Sequence, residues 1–185
     1  IGLCRGYSLI PDFRETILEN GNDLSAFNNS SLYCAVCAMK ELAETQGDIK
    51  MQCKAAELAE KMKVNFPRIL FDEEKGFFVS SADAVTLEKR KVFMSPSIKW
   101  DNLFCRDLIT GKQKQLLEFF EKNFVCECGI MYAPVWGVGY DEDANPMHCY
   151  WPANSECFAR LANFENRKDL IEKLISWVEC WTDIL

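Results

Sequence analysis

Apolar residues recur at helical spacing over most of this chain. Over 29–46, Leu32, Val36, Met39 and Ala43 make one stripe, with Asn28 or Asn29 placed to cap the start and Gly47 to end it. Over 49–65, Ala55, Leu58, Ala59 and Met62 do the same. Pro67 marks the stop there, because a residue before proline is pushed out of the helical region. A short helix over 101–110 closes at Gly111, and Leu116, Phe120 and Phe124 stand four apart over 112–125. A fifth helix starts near Pro152, a residue favoured in the first turn, and runs to 163. The sixth, over 167–184, sets Leu170, Ile171, Leu174, Val178 and Trp181 on one face. Strand signal is minor. Segments 69–71 and 77–80 flank Asp72-Glu73-Glu74-Lys75-Gly76 as a β-hairpin, and 130–136 reads as a short extended stretch. The pattern predicts a mainly α fold with a small β-hairpin.

Connection lengths add a topology. Gly47-Asp48, Gly111 and the residues around Glu165-Asn166 are tight links, so the helices should pair as antiparallel αα-hairpins. The connections between pairs, 65–100 and 126–151, are long. Up-down alternation then gathers the short links at one end. It gathers the long connections, with leader 1–28, at the other, where loops on a rigid scaffold carry function.

Composition narrows the partners. Apolar residues are 49% and charged residues 26% of 185, the balance of one globular domain with a sizeable core. A net charge of -7 disfavours a nucleic-acid partner, and no apolar run approaches the length of a membrane span. The ten cysteines are too sparse for a disulfide scaffold, and Cys34, Cys37, Cys157 and Cys180 fall in helical patterns as small core residues. Cys34-x-x-Cys37 and Cys126-x-Cys128, with His148 and Cys149, invite a zinc reading. However, metal knuckles sit in turns, so free thiols in a reducing, cytoplasmic compartment are expected and no metal site is assigned. The chain opens at Ile1 rather than Met, which suggests processing or a portion of something longer.

The candidate chemistry lies in the leader and long connections. The leader carries Pro11-Asp12-Phe13-Arg14-Glu15; the others carry Trp100, Trp136, Asp141-Glu142-Asp143, His148 and Trp151. Aromatic faces beside carboxylates and amides suit a carbohydrate, whose C–H faces stack on indole while its hydroxyls take hydrogen bonds. Two carboxylates can then act as acid and base on a glycosidic bond. Gly137-x-Gly139 lacks the third glycine and βαβ context of a nucleotide site.

Those residues carry a resemblance. The run NSSLYCAVCAMKELAETQGD over 29–48 resembles an inner helix of the (α/α)6-toroid glycoside hydrolases, which read "ALYYxALxxLAxLxGD". FDEEKGFF over 71–78 and HCYWP over 148–152 look like the same group, which includes glucoamylase-like, trehalase-like, debranching and α-rhamnosidase-like enzymes. The resemblance implies that Asp12, in Pro11-Asp12-Phe13-Arg14, matches the general acid that precedes such a helix. Cellobiose-phosphorylase-like members carry a fuller Asp-Trp-Asn-Asp pattern, absent here. A full toroid has six hairpins, and this chain offers three, about half a ring.

The expectation is therefore a single, partial toroid domain over 1–185 that hydrolyses glycosidic bonds, by inversion, with no cofactor. Asp12 would be the acid and Glu15 a candidate base; Arg14, Trp100, Trp136, His148 and Trp151 would contact the oligosaccharide or glycoside. The rest of the toroid or a second subunit should cover the exposed inner helices. Two alternatives stay open: a non-catalytic helical-hairpin interaction module, and a glycoside phosphorylase, for which only Arg5, Arg14 and Lys99 offer phosphate contacts.

Overall fold

A computed structural model describes residues 1–6, 22–90, 105–126, 129–130 and 152–182. Among these the chain is mainly helical, with small antiparallel strand pairs. The first helix, α1 (Ala26–Gln46), follows the short strand β1 (Asp23–Ser25) and starts three residues earlier than its apolar spacing predicts. Ser25, in extended backbone, caps it by accepting from the Asn28 N–H at 3.4 Å. The Asn29 side chain cannot cap because it is buried and engaged elsewhere. Gly47 ends α1 in the left-handed conformation, and the N–H groups of Gly47 and Asp48 satisfy the carbonyls of Glu44 and Ala43.

Asp48 caps α2 (Ile49–Leu70), accepting from the Met51 N–H at 2.9 Å. This helix runs through Pro67 instead of stopping before it. Proline removes one donor and disfavours the helical region for Phe66, but continuing the helix buries Phe66, Ile69 and Leu70 almost completely. Packing wins. The two helices form an antiparallel hairpin, with Ala55 and Ala59 of α2 and Tyr33 and Val36 of α1 buried in one core. Of the predicted α1 stripe, Val36 and Ala43 are buried and Leu32 packs on the core, whereas Met39 is 47% exposed.

The predicted β-hairpin forms in shorter strands, β2 (Phe71–Asp72) and β3 (Phe77–Phe78), antiparallel, with Phe71 opposite Phe78; Ile69 and Leu70, predicted extended, belong to α2. Asp72 Oδ1 accepts from the backbone N–H groups of Glu74 and Lys75, which shapes the turn. Successive side chains on β3 point to opposite faces. Phe78 meets Phe66 and Phe71 at centroid distances of 5.5 and 4.8 Å, while Phe77 meets Phe119 at 4.7 Å. The hairpin thus joins two regions of one core. A further pair, β1 with β4 (Ser81–Asp83), has Asp23 opposite Asp83 and Ser25 opposite Ser81. The spacing of apolar residues gives no sign of it.

The third predicted helix is replaced, among the described residues, by a 3-10 helix (Cys105–Ile109), with Leu108 and Ile109 buried. Next comes α3 (Gln113–Asn123), which buries Leu116 and Phe120 as its spacing predicts, with Phe124 buried at its end. Lys112, directly after the Gly111 link, lies over the Phe71 ring at 4.9 Å and pairs with Glu73. That link therefore sits by the C-terminal end of α2, not with Gly47-Asp48 as strict up-down alternation predicts. Strands β5 (Val125–Cys126) and β6 (Gly129–Ile130) pair next; of the predicted extended stretch only Ile130 is described, and 131–136 lie outside the described residues.

The last pair, α4 (Pro152–Phe164) and α5 (Lys168–Thr182), is linked through Asn166 in the left-handed conformation, with the Arg167 N–H donating to the Ala162 carbonyl. The buried line on α5 is Leu170, Leu174 and Trp177; Val178 is 53% exposed, and the Trp181 side chain lies outside the described set. A four-then-three step to Trp177 thus replaces the predicted continuation through Val178. Cys157 is buried, Cys34 and Cys37 are half-buried against the core, and Cys180 is exposed rather than a core residue. No described helix is long and apolar enough to cross a membrane.

Phe78, fully buried between Phe66 and Phe71, is the ring that fastens the hairpin to α2. Phe78→Ala should cost about 3–5 kcal/mol in urea unfolding with little change in m. The thiols provide a second check. Burial raises the pKa of Cys4 and Cys37, while Cys53 and Cys180 are exposed and Cys157 is buried. Iodoacetamide should alkylate Cys53 and Cys180 first, Cys4 and Cys37 later, and Cys157 only on unfolding, read by peptide mass spectrometry.

Candidate functional site

The N-terminal segment crosses the open end of the α1–α2 hairpin and is pinned at each step. The Asn65 amide donates to the Ile1 carbonyl at 2.9 Å. Gly2, at φ 80, lies so close to α2 that a Cβ would stand 2.9 Å from Lys61 Cβ. The wholly buried Asn29 side chain then holds the Cys4 peptide on both sides. Its Oδ1 accepts from the Cys4 N–H at 2.7 Å, and its Nδ2 donates to the Cys4 carbonyl at 3.0 Å and to the Ser25 carbonyl at 2.8 Å. Finally the Gly6 N–H donates to the Asp23 carbonyl at 3.1 Å.

Asp23 is the centre of this end. Its carboxylate is fully buried and accepts from Arg90 Nε at 2.9 Å, Arg90 Nη2 at 2.8 Å and Ser81 Oγ at 3.1 Å. Hydrogen bonding to Asp23 pushes the Arg90 guanidinium pKa up, and Asp83 at 3.9 Å adds a weaker attraction. The backbone completes the join: the Arg90 N–H donates to the Ser81 carbonyl and the Ala26 N–H to the Ser80 carbonyl. Asp83 Oδ1 accepts from the Val85 and Thr86 N–H groups, which lowers its carboxyl pKa and shapes the turn leading to Arg90.

All seven residues assigned to the site from sequence lie outside the described residues: Asp12, Arg14 and Glu15 in 7–21, Trp100 in 91–104, and Trp136, His148 and Trp151 in 131–151. The structure describes the residues that bound these segments. Gly6 and Asn22, either side of 7–21, adjoin or touch Asp23, and Arg90, just before 91–104, grips the Asp23 carboxylate. For the third segment the bounding elements β6 and α4 pack on each other. From sequence, Asn28 and Asn29 read only as candidate helix caps, and Asp23, Ser81 and Arg90 carry no assigned role. The one legible signal was two asparagines and two serines where the stripe of α1 should begin.

A second polar group lies beside the 3-10 helix. The Tyr33 hydroxyl donates to Asp107 Oδ2 at 3.4 Å, and Lys63 stands 3.6 Å from the same oxygen. Burial, then the bond to Cys37, pushes the Tyr33 hydroxyl well above its usual range, so it serves as a protonated donor. Among the described residues no three or more His, Cys, Asp and Glu side chains are grouped to hold a metal ion.

No family model, curated protein or solved structure matches this chain. Among the described residues the structure defines a mainly helical domain whose open end is stitched by short strand pairs and by an ion pair with a buried carboxylate.

Arg90→Met should leave the Asp23 carboxylate buried without its cation and cost about 3 kcal/mol in chemical denaturation. Arg90→Lys should recover only part of that, because a single ammonium cannot reproduce the two-pronged contact. Equal stability of the wild type and Arg90→Met would show that the pair contributes nothing.

Proposed function

We propose that the chain is part of the catalytic domain of a carbohydrate-active enzyme that hydrolyses glycosidic bonds with two carboxylates, most simply by inversion. Its described helices, the pairs α1–α2 and α4–α5 with α3 between them, would form about half of an (α/α)6 toroid. The observation that carries this reading is the meeting of Gly6, Asp23 and Arg90 at the N-terminal end of α1. The leader with Asp12, Arg14 and Glu15 and the connection with Trp100 are thereby tied at their described ends to one buried anchor. A carboxylate pair and a stacking indole need that kind of shared base. Asp12 is the proposed acid and Glu15 a candidate base, with Arg14, Trp100, Trp136, His148 and Trp151 as sugar contacts and no cofactor required.

The C-terminal half of α1 supports a covering partner. From Ala26 to Met39 it carries no charged residue, and Ala35, Ala38, Met39 and Leu42 all face solvent, continued by Ile49. A helix apolar on more than one side belongs inside a larger assembly. The remainder of the toroid or a second subunit would supply the cover. The same stripe is what favours the second reading, a non-catalytic helical-hairpin interaction module. The six cysteines whose side chains are described are free thiols, which suits a cytoplasmic location.

The two readings separate on Asp12→Asn, made in the complete protein and assayed on natural oligosaccharides and on an activated aryl glycoside. Loss of the acid should slow the first by about 100- to 10,000-fold and spare the second, whose leaving group needs little protonation. Natural-substrate turnover within a few-fold of wild type removes Asp12 as the acid. Absence of turnover on either substrate by the wild type favours the interaction module.

A further inference from the structure

A groove of about 660 Å³ lies between the β2–β3 turn and α3. Its floor is the Phe77–Phe119 pair, and its rim carries Glu74 from the turn and Gln115, Glu118, Lys122 and Asn123 from α3. Positions 115, 118 and 122 share one helix face, so their polar ends converge over the same space. Gly76 makes the arrangement possible. At φ 77 a Cβ there would stand 3.3 Å from the Gln115 carbonyl oxygen, so the turn rests on α3 only without a side chain.

The rim is polar and little used by the fold. Among the described residues the side chains of Gln115 and Lys122 make no hydrogen bond or ion pair. Glu118 has Lys114 and Glu74 has Lys75, each pair at the 4.0 Å limit and each exposed. Glu73, by contrast, is committed to Lys112. What remains is Glu74 and Glu118 against Lys75 and Lys122, balanced in charge, with the Gln115 amide to donate and accept; the Asn123 amide already donates to the Phe119 carbonyl at 2.8 Å.

We propose that this groove binds a neutral polyhydroxylated ligand, a short saccharide chain, at a site separate from the acid/base residues. A balanced lining favours neither an anion nor a cation. Mixed donors and acceptors match vicinal hydroxyls, while the Phe77 and Phe119 rings, 2% and 8% exposed, only support the groove from beneath. The volume falls inside the range of roughly 300–1,000 Å³ typical of small-molecule sites. Binding here does not depend on the hydrolase reading, since it needs neither Asp12 nor turnover.

The test titrates the full chain with maltotriose, cellotriose and xylotriose and follows backbone amide signals by NMR. At least one trisaccharide should shift Gly76, Gln115 and Lys122 saturably in the millimolar range. Gln115→Ala and Glu118→Ala, both on the solvent-facing rim, should each weaken that binding about tenfold, the usual effect of losing one such hydrogen bond. Asp12→Asn should leave it unchanged, which separates this site from the proposed active site. The proposal is overturned if no trisaccharide moves those amides at about 20 mM, a concentration that would populate a millimolar site. It is equally overturned if sulfate or spermidine moves them instead, or if the two rim variants bind as wild type does.

Discussion

A carboxylate with no access to solvent cannot stay charged alone, and Asp23 has none. The chain meets that demand by bringing Arg90 and Ser81 to it from more than fifty residues away, and in doing so it fixes the open end of the α1–α2 hairpin. The pair is expensive to bury and need not add net stability over an apolar substitute. Its consequence is register. With Arg90 locked to both oxygens, β4 can pair with β1 in only one alignment, the Ala26 N–H finds the Ser80 carbonyl, and the Gly6 N–H finds Asp23. Asn29 repeats the device one turn into α1 by holding the Cys4 peptide as a strand neighbour would.

Around this polar end the core is unusually aromatic. Phe66, Phe71 and Phe78 close the top of α2, and Phe77, Phe119, Phe120 and Phe124 carry the packing onto α3. A two-residue-per-strand hairpin would be marginal alone in water. Here its alternation sends Phe77 and Phe78 to opposite sides, so the hairpin is held from two directions and in turn holds α3. The acidic turn that reads from sequence as a mere connector becomes the wall of a groove because Gly76 lets it lie against the α3 backbone.

The two ends of the α1–α2 hairpin differ in kind. One is saturated with hydrogen bonds from four separate segments; the other shows Met39, Leu42 and Ile49 to solvent. Polar groups that are buried and satisfied specify an arrangement, whereas an apolar stripe left uncovered specifies only that something apolar should meet it. The satisfied end is where long connections depart and return, and the uncovered stripe is where further helices would pack.

Local chemistry determined much of this fold. Gly47, Gly76 and Asn166 set turns through left-handed conformations open to few other residues, Asp48 caps α2 with its side chain, and the spacing of Leu116, Phe120 and Phe124 fixed the buried face of α3. The hairpin at 71–78 was legible for the same reason: Asp72 and Gly76 shape the turn from within it. The proposed site residues were legible only as a composition, aromatics and carboxylates in long connections, because a loop's sequence carries no period. Tertiary structure alone decided that α2 passes through Pro67, that Asn29 clamps Cys4 rather than capping α1, and that Arg90 belongs to Asp23. Each of these outcomes depends on a partner dozens of residues away or on burial summed over several side chains. No window of neighbouring residues contains that information.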